Sequence, residues 1–393
     1  MRSTEDAEAT IAPAGRRELT LVAYATFAIY GAAMNAVGPT LAPIAQTFGV
    51  SLGTTGVLFG VGGVGFLLVV FLAGYVADRV GKRAVLLVGI AGVLIGLVGQ
   101  GLAMAFAFLL VAALVTNVGN GLLESSVGGL VVDLHAERRT PALNLLHSSF
   151  GVGAFLGPLV GGALVLVADW RAVYVAFAIG FLCLLAFVLS LHHYFPQPSP
   201  EEPIHWQEIP PLLRSRTIQL GTVGIFLYVA GELSISAWGV PYLEEVRGHS
   251  TLVASFGVSL FWLTIAAGRA ASAWISAYLK PERLLQASAS LSALGTLVLL
   301  TAPGLVLSLL GFALAGLGAA AIYPTIMAVS TARFPRMSGT VTGLITTATG
   351  LGIVFGPMIV GRLGDALGLE RALYSVVASM AAIAVLYLVP ARD

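Results

Sequence analysis

Twelve apolar runs, joined mostly by short polar links, leave this chain very few ways to fold. A run of roughly 20 apolar residues spans a hydrocarbon core of about 30 Å. No water reaches the backbone there, so each run must satisfy its own N–H and C=O groups as an α-helix. The runs are continuously apolar rather than alternating, which excludes a transmembrane β-barrel. Of 393 residues, 58% are hydrophobic and 10% charged, whereas a soluble domain carries about 25% charge. The expected class is an all-α membrane protein with twelve transmembrane helices in two six-helix pseudo-symmetric bundles. A net charge of +1 offers no basic field for nucleic acid, and one cysteine, Cys183, cannot form an intrachain disulfide.

The spans are expected at 19–47, 52–77, 84–103, 105–133, 140–167, 171–194, 217–243, 251–279, 283–302, 304–330, 338–363 and 370–390. Residues 1–18 are polar and read as a disordered cytoplasmic tail. Segment 195–216 carries Pro196, Pro198, Pro200, Pro203, Pro210 and Pro211 and reads as a cytoplasmic linker. It separates an N-terminal bundle, 19–194, from a C-terminal one, 217–393. With both termini inside, 15 of the 20 Lys and Arg residues fall in cytoplasmic segments, as the positive-inside rule requires. This places the chain in the cell (inner, cytoplasmic) membrane, and it is expected to act as a monomer.

Gly151-Val-Gly153-Ala-Phe-Leu-Gly157-Pro158 in span five reappears in span eleven as Gly350-Leu-Gly352-Ile-Val-Phe-Gly356-Pro357. Two parallel repeats with a solute site between them near the midplane form a recurring transporter plan.

Ionisable residues inside the runs are the candidates for function, since a charge at mid-bilayer costs about 2.5–3.5 kcal/mol on insertion scales. In span four Asn117, Asn120 and Glu124 share one helix face. A carboxyl there is a candidate proton site, because protonation and solute occupancy compete for it. The same polar stripe also fits interhelical hydrogen-bond glue. Span seven places Tyr228, Glu232 and Ser236 on one face, with Trp238 beyond them. Tyr30 and Asn35 in span one, Asn144 and His147 in span five, Trp262 in span eight and Tyr323 in span ten complete the expected solute site. Trp238 also fits an interfacial aromatic belt. At about 1.5 Å per residue, Arg269 lies about 15 Å deep, Glu124 about 14 Å, His147 about 10 Å and Glu232 about 22 Å. Glu124, His147 and Glu232 are therefore all candidate partners for Arg269, and the four together form the expected proton-coupling set. A hard cation such as sodium is an alternative at Glu124 and its neighbouring oxygens.

Several patterns lead away from catalysis. Gly60-x-Gly62-x-x-Gly65 lies inside an apolar span with no preceding strand, so it reads as helix packing. No P-loop, HExxH or GxSxG sequence occurs, and no His/Cys cluster has zinc spacing. No enzyme activity, cofactor or metal site is expected.

Between spans two and three stands Gly74-Tyr-Val-Ala-Asp78-Arg79-Val-Gly81-Lys82-Arg83. It resembles the signature loop of the major facilitator superfamily. That resemblance implies the major facilitator fold and a cytoplasmic gate formed by Gly74, Asp78, Arg79, Gly81, Lys82 and Arg83. Gly119-Asn-Gly121-Leu-Leu-Glu124, Asn144-Leu-Leu-His147, Tyr228-Val-Ala-Gly-Glu232 and Ser259-Leu-Phe-Trp262 are similar to segments of the fucose/glucose:proton symporter branch. Four residues after Glu124, the chain has Gly128 where that branch usually has Asn. The implied function is proton-coupled movement of a small polar solute, a sugar, by alternating access. Gly153-x-x-x-Gly157-Pro158-x-x-Gly161-Gly162 also resembles the motif of drug/proton antiporters. The alternative function is therefore proton-coupled export of drugs or amphipathic compounds.

Overall fold

A computed structural model describes residues 13–191, 194–195, 209–301, 303–334 and 337–388. Among these there is no β-strand, and twelve helical segments are long and apolar enough to cross a membrane. Span one is α1 (Pro13–Asn35), continued past a 3-10 turn by α2 (Leu41–Phe48). Span two joins α3 (Leu52–Thr55) to α4 (Val57–Val80). Then come α5 (Lys82–Gly101), α6 (Phe106–Leu134), α7 (Arg139–Val167) and α8 (Trp170–Ser190). A short α9 (Ile209–Arg214) precedes α10 (Arg216–Pro241). The last spans are α11 (Thr251–Ile275), α12 (Pro281–Thr301), α13 (Leu305–Ala319) with α14 (Ile322–Arg333), α15 (Ser338–Leu367) and α16 (Leu369–Leu386).

Three expectations need correction. The tail is not irregular to residue 18, because α1 starts at Pro13, where a missing N–H costs the helix nothing. Residues 1–12 of that tail lie outside the described residues. The linker is not irregular throughout either. Pro210 and Pro211 sit in the first turn of α9, the one part of a helix that accepts proline. Linker residues 196–208 lie outside the described residues. Span ten is broken between α13 and α14, because Pro324 has no N–H to give the Ala320 carbonyl.

Helices of the first six spans pack on one another, α5 and α4 on α6 and α1 on α7. The last six do the same, α12 on α13 and α16, and α10 on α15. Lipid tails are as apolar as leucine, so helices associate in a membrane by close fit rather than by escape from water. The repeated glycines supply that fit. A Cβ at Gly153 would fall on the Ala28 carbonyl, and one at Gly157 on the Ala32 carbonyl. In the second repeat a Cβ on Gly352 would meet Val229 at 2.8 Å, and one on Gly356 would meet Ala230 at 2.5 Å. Both copies of the motif thus serve backbone approach, α7 on α1 and α15 on α10.

Two seams join the halves, α7 on α11 and α4 on α15. The first runs from Gly162 beside Ser255 to Gly151 beside Ala266, the second from Gly53 beside Gly361 to Gly350 beside Leu67. They occupy the half of the molecule away from the termini. On the other half, Asn144, His147 and Ser148 of α7 are exposed. The closed end carries a cross-half clasp. Asp365 at the end of α15 accepts from Ser51 Oγ at 2.5 Å and from the Gly53 amide at 2.9 Å. Ser51 in turn accepts from the Thr54 amide at 3.1 Å, so a carboxylate of one half caps a helix start of the other.

Gly157→Leu is expected to lower the melting temperature of the detergent-solubilised protein, with a cost of about 1–3 kcal/mol from overpacking. Gly128→Ala, where a Cβ meets nothing within 4 Å, should leave it unchanged. Equal effects would sink the seam assignment. Asp365→Ala should open the clasped end, raising the reaction of a Leu58→Cys probe with an impermeant thiol reagent in a Cys183→Ser background. An unchanged labelling rate would show the clasp to be idle.

Candidate functional site

The polar residues between the halves fall into two groups. The first lines a cavity of about 80 Å³ on the closed half. Asn35, Asn117 and Asn120, all expected from the sequence, border it. So do Gln100, Thr116, Tyr174 and Ser236. Gln100 and Tyr174 lie on α5 and α8, spans from which no site residue was expected. The signal for Gln100 was present, since it is the one amide in an otherwise apolar span three. Nothing in the sequence tells Tyr174 from an interfacial tyrosine.

A buried relay crosses the halves beside this cavity. Trp262 Nε1 donates to Ser236 Oγ at 3.1 Å, Ser236 donates to Asn35 Oδ1 at 2.7 Å, and Asn35 Nδ2 donates to the Gly31 carbonyl at 2.9 Å. Rings flank it in edge contacts, Trp262 on Phe150 at 6.1 Å and Phe150 on Tyr30 at 5.3 Å. Tyr30 and Trp262 are thus buried in a contact between halves. Trp238, expected in the solute site, instead closes the structure. It is fully buried, gives its N–H to the Pro357 carbonyl at 2.9 Å, and sets its ring between Gly56 and Gly361.

The second group is charged and lies nearer the termini. Glu124 on α6 is half-buried and makes no hydrogen bond or ion pair among the described residues. It stands within electrostatic reach of Tyr30 in its own half and of Tyr323 in the other. Tyr323 is also within electrostatic reach of Arg269. Tyr228 donates its O–H to Glu232, both buried, and Arg269 lies beside this pair. Among the described residues Arg269 closes no ion pair, and its Nε is buried without a hydrogen-bond partner. His147 packs edge-on against Phe27 at 5.8 Å, and Arg269 is within its electrostatic reach. Arg269 thus acts on Tyr228, Glu232, His147 and Tyr323. Asn144 is exposed, and only its backbone carbonyl is engaged, by Ser148 Oγ at 2.8 Å.

In the loop between α4 and α5, Lys82 is engaged within the first half. Gly81 takes φ 95°, a backbone conformation suited to glycine. Lys82 Nζ pairs with Asp133 Oδ2 at 2.6 Å and reaches the Gly129 carbonyl at 3.3 Å, tying α5 to α6. Arg83 Nε is buried without a partner, and Arg79 is exposed. The side chains of Gly74 and Asp78 lie outside the described residues.

Ser236→Ala should strand the Asn35 carbonyl and the Trp262 N–H, at a cost of about 1–3 kcal/mol. The melting temperature should fall and tryptophan fluorescence should shift. Ser234→Ala removes only a bond within α10 and should do neither. Equal behaviour of the two variants would remove the relay from the account.

The Major Facilitator Superfamily family model matches residues 23–357 and, again, 283–393. The chain is 27% identical to "Membrane protein MosC" of Rhizobium meliloti, over 93% of this chain and 88% of that protein. It is 28% identical to a "Triacylglyceride transporter" of Mycolicibacterium smegmatis over 46% of this chain and 32% of that one. A crystal structure of a bacterial homolog to the human lysosomal transporter Spinster, inward-facing and unoccupied, superposes with a TM-score of 0.81. It covers 96% of this chain and 97% of that one at 17% identity, a likeness of fold.

Proposed function

This chain belongs to the Major Facilitator Superfamily, and on that premise we propose that it couples proton movement to transport of a small, hydroxyl-rich solute such as a sugar. The observation that carries the reading is Glu124, an unpaired, half-buried carboxyl in mid-span, within electrostatic reach of a tyrosine in each half. A proton taken up there neutralises a charge that would otherwise resist closure of the halves around it. Passage between the open and closed arrangements then depends on protonation.

Segments 19–194 and 217–393 act as the two moving bodies, joined by a cytoplasmic linker at 195–216. The termini face the cytoplasm, so the seams and the Asp365 clasp close the outer side and the charged group opens inward. Arg269 holds Glu232 and Tyr228 on the second body and is free to meet a solute or Glu124 when the halves rearrange. The similarity of spans four, five, seven and eight to fucose/glucose:proton symporters supports a sugar. Sodium remains the competing ion at Glu124. The second reading, export of an amphipathic compound against protons, draws support from the relative named a triacylglyceride transporter.

Glu124→Gln should abolish pH-driven accumulation in proteoliposomes while leaving solute exchange intact. Full pH-driven uptake by this variant would end the proton-site assignment. Solute-induced alkalinisation of the outer medium identifies symport, and acidification of the donor side during efflux identifies the exporter.

A further inference from the structure

The cavity beside Asn117 is lined by neutral polar groups, and its hydroxyl hydrogens are already committed to protein. Thr116 donates its only hydroxyl hydrogen to the Ala112 carbonyl at 3.0 Å. Thr116 Oγ1 must therefore accept the 2.6 Å bond from Gln100 Nε2, which fixes the Gln100 amide. Gln100 Oε1 is left without a protein partner, yet it is not sealed from the cavity. Asn117 turns its amino group to the Ala113 carbonyl at 3.0 Å, against Gly62, where a Cβ would stand 2.5 Å from that nitrogen. Asn120 donates toward Asn117 Oδ1 at 3.5 Å, leaving its own carbonyl oxygen unengaged. Thr40 donates to the Val37 carbonyl at 2.7 Å, so Tyr174 is the donor in their 3.2 Å contact and turns hydroxyl lone pairs outward. Ser236 spends its hydrogen on Asn35. What remains on the wall is oxygen lone pairs, together with a second amide N–H on each of Gln100, Asn117, Asn120 and Asn35.

We propose that this cavity is the recognition site for uncharged, hydrogen-bond-donating hydroxyl groups of the transported solute, with Gln100 on α5 as a specificity-determining residue. This rests on the hydroxyl-rich solute of the preceding section and goes beyond it, since it says which groups the wall accepts and which it refuses. Among the described residues no charged side chain lines the cavity. An ammonium would satisfy the acceptors but would lose its hydration without a counter-charge, a large penalty in a low-dielectric interior. A carboxylate would meet amide N–H groups but no cation, and would pay the same penalty. A hydroxyl meets neither obstacle. The space of about 80 Å³ holds roughly five to eight water-sized groups. It suits the hydroxyl-bearing end of a solute rather than a whole drug-sized molecule.

The test is calorimetric titration of the full-length protein in nanodiscs with D-mannitol, D-glucose, D-gluconate and sodium chloride. Mannitol or glucose should bind, and gluconate should bind at least tenfold more weakly. Gln100→Met should weaken polyol binding roughly ten- to a hundredfold with an unliganded melting temperature close to wild type. Gln100→Asn, which keeps a neutral amide, should recover part of it. The inference is wrong if neither polyol binds wild type, if gluconate binds as well as mannitol, or if Gln100→Met keeps wild-type affinity. It is equally wrong if Gln100→Met destabilises the protein and Gln100→Asn fails to recover binding. A sodium heat lost in Gln100→Met with no polyol effect would reassign the cavity to a cation. Proton coupling is read separately, as pH-driven uptake at saturating solute. Uptake that survives in Gln100→Met and fails in Glu124→Gln keeps the two assignments distinct.

Discussion

Helices in lipid gain little by merely touching, so what holds them is how closely their backbones fit. Gly153 and Gly157 let α7 rest on the carbonyls of Ala28 and Ala32, and Gly352 and Gly356 let α15 rest on Val229 and Ala230. Contacts of this kind are dense and dry, and water has nothing to offer in exchange. Each half is thereby made rigid by the same device used twice. Contacts between the halves add exchangeable bonds to the glycine approaches along the seams. Several are side-chain hydrogen bonds, from Ser51 and Gly53 to Asp365 and from Ser236 to Asn35. Bonds of that sort can be traded for water at modest net cost. Rigid bodies joined by exchangeable bonds are what a rocking carrier requires.

The two polar groups differ in chemistry. Near the closed end the wall is neutral and offers amide N–H groups and oxygen lone pairs. Toward the open half stand Glu124, Arg269, Glu232 and His147, where protonation changes the electrostatics directly. Tyr323 is within electrostatic reach of both Glu124 and Arg269, which links the first half's carboxyl to the second half's cation. Arg269, set beside a Tyr228–Glu232 pair but bonded to neither through Nε, keeps the capacity to change partners.

Much of this was legible in the chain. Long apolar runs admit only helices in a bilayer, and the repeated glycine-proline motif announced two equivalent halves before any contact was known. The carboxamides of span four and Asn35, singled out because a polar stripe on an apolar helix needs somewhere to face, border the cavity. Trp238 was misread because sequence spacing gives the face of a helix but not what covers it. The ring that suited a solute turned out to plug the closed end against Gly56 and Gly361. The break in span ten was readable from Pro324, yet apolar composition masked it.

Composition and periodicity by themselves determined the class of fold, the number of spans, the twofold repeat and the scarcity of charge that marks Glu124 and Arg269, because each follows from the solvent and from local geometry. Only the tertiary structure decided that Gln100 and Tyr174 reach the cavity from peripheral helices, that Ser236 bridges to Asn35, and that Arg269 lies beside the Tyr228–Glu232 pair. Those facts depend on the relative rotation and depth of helices far apart in the chain. No local preference along one helix encodes them.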